Sequence, residues 1–495
     1  MFFNSLHYVL FLPLVVAFYF LIPPRRRWVF LLAASYYFYM CWKMEYLVLI
    51  LVSTAVDYVA GRKMGTTDDK GKRRKYLILS LFSNLGLLFA FKYFNFFNES
   101  TRAAFAYFDI TYNIPYFDVL LPVGISFYTF QTLSYTIDVY RGHREPERHL
   151  GIFALYVAFF PQLVAGPIER STNLLPQFHE TKRFNYDQTV DGLKLILWGM
   201  FKKVVIADRV AVVANTVFNS PGDHNGIQFI IGTVFFAFQI YCDFSGYSDI
   251  AIGSARILGV KLMLNFNRPY FSKTIAEFWK RWHISLSSWF RDYLYISLGG
   301  NRVGIGRWYV NLFITFLVSG LWHGANWTFI IWGGLNGLYL VMEILIERPK
   351  RKVMGLLRMT ESSWSFKYLS VGATFALTCL AWIFFRANTL SDAFYIVAHL
   401  GDGLGDFFGA LLARDMAVIR GVVKSLGLSQ KEMIIAVLSL ILLESVHFMQ
   451  RKESLRDFLS TKPVVLRWAV YYSLVGAILF FGAFNMSQQF IYFQF

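Results

Sequence analysis

Long apolar runs separated by short polar loops dominate this chain, and their lengths set the first expectation. Tyr8–Ile22, Trp28–Trp42, Tyr46–Ala60 and Tyr76–Phe97 come early, and Tyr309–Leu321, Thr328–Ile346, Leu369–Phe385, Met433–Met449 and Val465–Phe484 come late. A helix needs roughly 20 apolar residues to cross about 30 Å of hydrocarbon. Backbone that faces lipid must satisfy its own hydrogen bonds, so these runs predict helices rather than open strands. Further apolar stretches lie around Leu120–Tyr135, Gly151–Gly166, Leu193–Val213 and Phe229–Ile257. By length, the pattern predicts an all-α, polytopic bundle of about eleven or more membrane helices.

The runs are not alike. Those near the ends are plain, whereas from 120 to 335 they are broken by Gly, Pro and charge, as in Leu121-Pro-Val-Gly124, Ala165-Gly-Pro-Ile-Glu-Arg170 and Phe201-Lys-Lys203. Irregular or charged backbone at membrane depth is tolerated only where it is buried in protein or lines a wet cavity. We therefore expect one membrane domain over residues 1–495, with a functional core at 120–335 and peripheral spans at 1–119 and 336–495. Asp243 and Asp249, inside an apolar run, are expected to pair with Lys202, Lys203 or Arg209.

Composition narrows the class. A chain that is 56% hydrophobic is not a soluble enzyme. The net charge of +17 could suggest a nucleic-acid partner, but its placement argues for none. Basic residues crowd into alternate short loops, at Arg25–Arg27, Arg62–Lys75 and Arg141–Arg148, and the loops between them carry few. Such alternation follows the positive-inside rule and predicts a cytoplasmic-membrane protein with its N terminus outside. The segment before the first run lacks the positive region of a cleaved signal. The three cysteines, Cys41, Cys242 and Cys379, have neither disulfide nor metal-ligand spacing and read as small hydrophobes.

His323 is the most conspicuous candidate for chemistry, in Asn311-Leu-Phe-Ile-Thr-Phe-Leu-Val-Ser-Gly-Leu-Trp-His-Gly-Ala-Asn326. An ionisable ring inside an apolar span is costly and marks function by default, although a histidine can also simply tie helices together. Apolar burial disfavours the charged imidazolium, which leaves a neutral ring able to accept a proton. Ser319, four residues earlier, shares its helix face and could act as a nucleophile, but such serines more often bond back to their own helix. A second imidazole, His283, lies in Glu277–Ile296. There Phe278, Trp282, Leu286, Trp289 and Tyr293 recur at helical spacing opposite Lys280, His283, Ser287 and Arg291. That pattern predicts one amphipathic helix, either interfacial or part of a site. The forty-residue separation of the two histidines does not suggest a metal site.

Several runs together carry a family resemblance. They are Asn265-Phe-Asn-Arg-Pro-Tyr, Glu277-Phe-Trp-Lys-Arg-Trp-His-Ile-Ser-Leu-Ser, Arg291-Asp-Tyr-Leu-Tyr-Ile-Ser-Leu-Gly-Gly-Asn301 and Gly320-Leu-Trp-His-Gly-Ala-Asn326. Supporting matches are Leu121–Phe130, Tyr135–Gly142, Leu163–Pro167, Asp243–Asp249 and Phe490–Phe495. The chain closely resembles the membrane-bound O-acyltransferase family, above all the branch that serves exported polysaccharides such as alginate. The resemblance implies a helical bundle around a transmembrane tunnel. His323 would match the essential histidine, and His283 the second histidine of the related teichoic-acid branch. Trp282, Ser287, Arg291, Asp292, Trp322 and Asn326 would line the substrate path. An acyl thioester, either acetyl-coenzyme A or an acyl carrier protein, would arrive from the cytoplasm as substrate, with no bound cofactor. An extracytoplasmic acetyltransferase partner would complete transfer to a polysaccharide acceptor. D-alanyl transfer to a cell-wall polymer is the alternative within enzymes. A lipid-linked sugar transporter is the alternative outside them, but the paired repeats common in transporters are missing from the pattern.

Overall fold

In the computed structural model, which describes every residue except 118–120, 165, 357–359, 361–362, 452–454, 487–488 and 494–495, the apolar runs fold into helices. No strand occurs among the described residues. Leu120, Ala165, Gln494 and Phe495 of the runs and motifs quoted above lie outside them. Helices α1 (Leu6–Leu21), α2 (Arg27–Met40) and α3 (Leu47–Gly65) make one flank. On it packs α4 (Lys70–Leu88), which continues through a π-helical turn at Phe89–Tyr93 into α5 (Phe94–Tyr107). Inside lie α6 (Ile125–Arg141) and α7 (Leu150–Ala158). Then α8 (Tyr186–Met200) passes through a second π-helical turn, Phe201–Ala207, into α9 (Asp208–Asn219). Both α8 and α9 pack along α10 (Gly226–Ile257).

Two short helices follow, α11 (Ile275–Arg281) and α12 (Ile284–Trp289), then a hairpin of α13 (Ile305–His323) and α14 (Trp327–Leu356). The bundle is completed by α15 (Trp364–Arg386), α16 (Gln430–Met449) and α17 (Val464–Phe481). Helix α10 is the axis: 67% of its most apolar window is buried, against 6% for α17. The rim helices keep large apolar side chains outward, for example Leu6, Leu10, Leu14 and Leu21 of α1 and Val465 and Phe480 of α17. A wholly apolar outer surface is stable only in contact with lipid or another protein.

Close helix contacts are made by glycine. The Cα of Gly192 faces Gly253 so tightly that a Cβ on either would stand 2.6 Å from the other's carbonyl oxygen. Gly320 of α13 and Gly333 of α14 also face each other, a Cβ on either standing 3.1–3.2 Å from the other's Cα and against the carbonyl of Phe329 or Phe316. Small residues let backbones approach where dispersion, not the hydrophobic effect, must hold helices together.

Seven helices among the described residues are long and apolar enough to cross a membrane, where the run lengths predicted about eleven. The runs Tyr8–Ile22 and Trp28–Trp42 form helices of only 16 and 14 residues, and interior runs are interrupted. Gly151–Gly166 breaks at Phe159 into a helix of 9 residues and one of 4. Leu193–Val213 is divided by its π-helical turn. Apolar length overcounts spans when the segment is enclosed by protein on every side, because burial then does not require a crossing. The charged residues of this interior pair as anticipated: Lys202 with Asp249 at 2.7 Å, and Lys203 with Asp243 at 2.7 Å and Asp208 at 2.8 Å. Arg209 instead donates to the Val205 carbonyl.

The predicted single helix over Glu277–Ile296 is not formed. Trp282 is extended and His283 adopts a left-handed conformation, with φ 42°, which separates α11 from α12. The chain then enters a third π-helical turn at Phe290–Tyr295. Outside glycine, left-handed backbone costs of order 1–2 kcal/mol, and here it turns the imidazole away from the surface into the bundle.

The bundle has two distinguishable ends. At one, Arg73 donates to the carbonyls of Val139 and Tyr140, and Arg141 to that of Asp292, gathering the basic loops. At the other, Asn95, Asn98 and Arg102 of α5 hold the segment 114–117. Trp327 packs on Phe96 with ring centroids 5.5 Å apart, which places the α13–α14 turn at this second end.

Candidate active site

His323 is the last residue of α13 and is 2% exposed. Its ring sits edge-on to Trp332 at 4.9 Å and to Trp322 at 5.0 Å, with Phe385 at 5.5 Å and Tyr492 at 5.7 Å. Neither ring nitrogen hydrogen-bonds to another described residue. An imidazole that served as glue would spend at least one nitrogen on a neighbouring helix, so this ring is held by packing alone, with both nitrogens unspent.

His283 is fully buried on the other side of the same aromatic wall, touching Phe244 at 4.6 Å, Tyr492 at 6.2 Å and Trp322 at 6.3 Å. Its protonation pattern follows from Asn265. The Oδ1 of Asn265 accepts from the Ser285 backbone N–H and hydroxyl, at 3.2 and 2.9 Å, which identifies that atom as the oxygen. The His283 Nδ1, 3.2 Å from the same oxygen, must therefore be the protonated nitrogen. Nε2 is left with its lone pair and without a partner among the described residues. Asn265 fixes the imidazole as a one-sided acceptor. Its position in a motif was visible in the sequence; its role was not.

Lys92 was missed by sequence reading. It lies in the π-helical turn between α4 and α5, inside a run otherwise read as an ordinary span. Its Nζ donates to the carbonyls of Trp322 at 2.8 Å and His323 at 3.1 Å, with the Ser126 hydroxyl at 3.5 Å. A cation at a helix C terminus gains up to about 2 kcal/mol from the dipole. Enclosing an ammonium costs several kcal/mol, and Lys92 forms no salt bridge among the described residues. A lone lysine near the middle of an apolar run was the available signal.

Two cavities approach His323 from the two ends. On the basic side a groove of about 610 Å³ follows one stripe of α13, Trp308, Leu312, Thr315 and Ser319, and is also lined by Lys280 and Arg291. At 1.5 Å per residue the stripe covers about 16 Å and stops one turn short of His323. On the opposite side a vestibule of about 450 Å³ is lined by Lys92, Asn326, Phe385 and Arg386. A third, small cavity of about 30 Å³ is lined by both Lys92 and His323 and shares Lys92 with the vestibule.

The remaining expected site residues separate into groups. Ser287 and Arg291 line the basic-side groove, although Ser287 also donates to the Trp282 carbonyl at 3.1 Å and Arg291 to Asp292 at 2.7 Å. Trp322 walls the small cavity, and Asn326 lines the vestibule while its Oδ1 accepts from the Thr328 N–H. Trp282 lines none of these cavities; it stacks on Phe278 at 5.5 Å and packs on Trp382 at 5.1 Å. Asp292 is tied to Arg170 at 3.3 Å. Ser319 borders the groove, where no bond to His323 is made.

Residues 148–365 match the membrane-bound O-acyltransferase family. The probable alginate O-acetylase AlgI of Pseudomonas putida is 42% identical over 78% of this chain and 76% of its own length. The peptidoglycan O-acetyltransferase of Helicobacter pylori is 32% identical over 93% of this chain and 90% of its own. The teichoic acid D-alanyltransferase of Streptococcus thermophilus is more distant, 31% identical over 55% of this chain and 70% of its own.

Proposed function

This chain belongs to the membrane-bound O-acyltransferase family, and from that premise we propose that it moves an acetyl group from a cytoplasmic thioester toward hydroxyls of an exported polysaccharide. It is a multi-pass membrane enzyme, an O-acyltransferase that consumes an acyl donor. The observation that carries the finer reading is His323, caged by aromatic rings with both nitrogens unspent between a cavity from each end.

In this reading the basic end faces the cytoplasm of a bacterial inner membrane and the N terminus lies outside, as the loop charges favour. The donor, acetyl-coenzyme A or an acetylated carrier protein, lays its pantetheine arm along the α13 groove, with Lys280 and Arg291 near its phosphates. Ser287 is close enough to the same groove to hydrogen-bond the arm. His323 accepts the proton of an acceptor hydroxyl as its oxygen attacks the thioester carbonyl, and returns that proton to the departing thiolate. Positioned bases of this kind contribute about 10²–10⁴-fold. The aromatic cage keeps out water, which would otherwise hydrolyse the donor. His283, with its Nε2 lone pair directed by Asn265, orients the donor or assists proton movement. Names of the relatives make alginate and peptidoglycan the first polymers to test, with an extracytoplasmic acetyltransferase as the partner that completes transfer.

The test is acetyl ester on exported polymer, measured in cells and with the purified full chain. His323→Ala is expected to lower acetylation at least about 100-fold while the protein remains in the membrane. Unchanged acetylation by a normally folded variant would overturn the reading. Loss of polymer export with normal acetylation of the remainder would instead point to transport.

A further inference from the structure

We infer that Lys92 is a catalytic residue of this reaction, the group that holds the negative charge on the carbonyl oxygen while His323 moves the proton. The inference rests on the reading of His323 as general base and adds a residue that neither the family match nor the relatives assign.

Four observations converge. First, Lys92 is a half-buried lysine within a membrane span that forms no salt bridge among the described residues; ionisable groups there are rare and mark function. Second, its Nζ is anchored on the reacting residue itself, 3.1 Å from the His323 carbonyl and 2.8 Å from that of Trp322. Third, Lys92 lines both the small cavity at His323 and the vestibule. Fourth, it is carried by a π-helical turn, Phe89–Tyr93, and such turns recur at functional sites.

Capping α13 does not account for these facts. A neutral amide could cap the same two carbonyls without an enclosed charge. An ammonium has three N–H groups, two of which are committed to carbonyls, and the third has, among the described residues, the Ser126 hydroxyl at the long distance of 3.5 Å and the Trp322 ring 5.8 Å away. That third donor can exchange the hydroxyl for a stronger acceptor.

The step balances without any further reactant. The acceptor oxygen bonds to the thioester carbon, its proton passes to a His323 ring nitrogen, and the carbonyl π pair moves to oxygen. That oxygen takes the third Lys92 N–H as its partner. When the tetrahedral adduct collapses, the carbonyl reforms, the C–S bond breaks, and the thiolate takes the proton from His323. A fixed donor aimed at an oxyanion is worth about 10²–10³-fold in turnover, and a full positive charge in a dry site strengthens it.

The experiment compares Lys92→Gln, Lys92→Arg and His323→Ala in the purified full chain in nanodiscs, with acetyl-coenzyme A or acetylated carrier protein and a hydroxyl acceptor. Gln can still cap carbonyls but has no charge. Lys92→Gln is expected to lower kcat about 100-fold or more, with donor binding and thermal midpoint close to wild type. Lys92→Arg, which keeps the charge, is expected to retain above one-tenth of wild-type kcat. A folded Lys92→Gln chain with kcat within threefold of wild type overturns the inference. Should Lys92→Gln fail to fold, Lys92→Arg decides: a folded Arg chain as inactive as His323→Ala overturns it. Full activity in His323→Ala would sink the base assignment instead, a different failure and separately visible.

Discussion

Asn265 determines which nitrogen of His283 can take part in chemistry. Its oxygen accepts from Ser285 and from the imidazole, while its nitrogen donates to the Ser248 hydroxyl at 3.2 Å, so the amide cannot turn over without breaking that set. Asn265→Leu keeps approximate size and removes the restraint. It is expected to lower kcat about tenfold or more, with a stability loss of about 1–3 kcal/mol from the orphaned partners. Asn265→Asp, which still accepts from Nδ1, is expected to keep more activity. Equal kcat in wild type and a folded Leu variant would remove Asn265 from the site. At this scale His323 and Trp322 were legible from the sequence, because a histidine in an apolar run stands out by its cost. Lys92 was not singled out, and Asn265 had no assigned role. Lys92 bonds carbonyls 230 and 231 residues away, and Asn265 meets His283 across 18 residues through a turn that polarity does not reveal.

Elements show why periodicity succeeded for long spans and failed near the site. Runs such as 433–449 are uniform, so length suffices to predict α16. The stretch 277–296 has helical spacing, yet it breaks at His283 and unwinds again at Phe290–Tyr295. Local pattern favours one continuous helix; the enclosure of His283 against Asn265 and Phe244 prevails over it. The three π-helical turns carry Lys92, Lys202 with Lys203, and Arg291 with Asp292, all polar groups that an uninterrupted helix would point elsewhere. Packing of α13 on α14 yields a paired test with the same chemical change at two glycines. A Cβ at Gly320 would collide with the Phe329 carbonyl and lie 3.2 Å from Gly333 Cα, whereas nothing stands within 4 Å of one at Gly306. Gly320→Ala is expected to cost about 1–3 kcal/mol by overpacking, read as a lower melting temperature in detergent. Gly306→Ala is expected to leave that temperature unchanged or raise it. Similar melting curves for the two variants would show that the helix contact is not tight.

For the whole molecule, the two-ended arrangement makes a directional prediction. Lys70 is exposed at the basic end, and Arg414 is exposed in the segment between α15 and α16. In a chain whose Cys41, Cys242 and Cys379 are replaced, Lys70→Cys should react with a membrane-impermeant thiol reagent only after the cytoplasmic side is opened. Arg414→Cys should react in intact cells. The reverse pattern would invert the proposed topology and, with it, the side from which the donor comes.

The sequence alone determined the solvent this protein needs and the helical class, and marked a histidine enclosed in an apolar run. Each of these follows from local cost: apolar length demands lipid or enclosure, lipid demands helices, and a buried imidazole demands a reason. Tertiary structure decided the left-handed turn that aims His283 inward and the meeting of Lys92, His323 and Tyr492 at one cavity. These depend on which distant segments share the interior. An enclosed segment has no solvent face, so its polarity pattern cannot report what surrounds it.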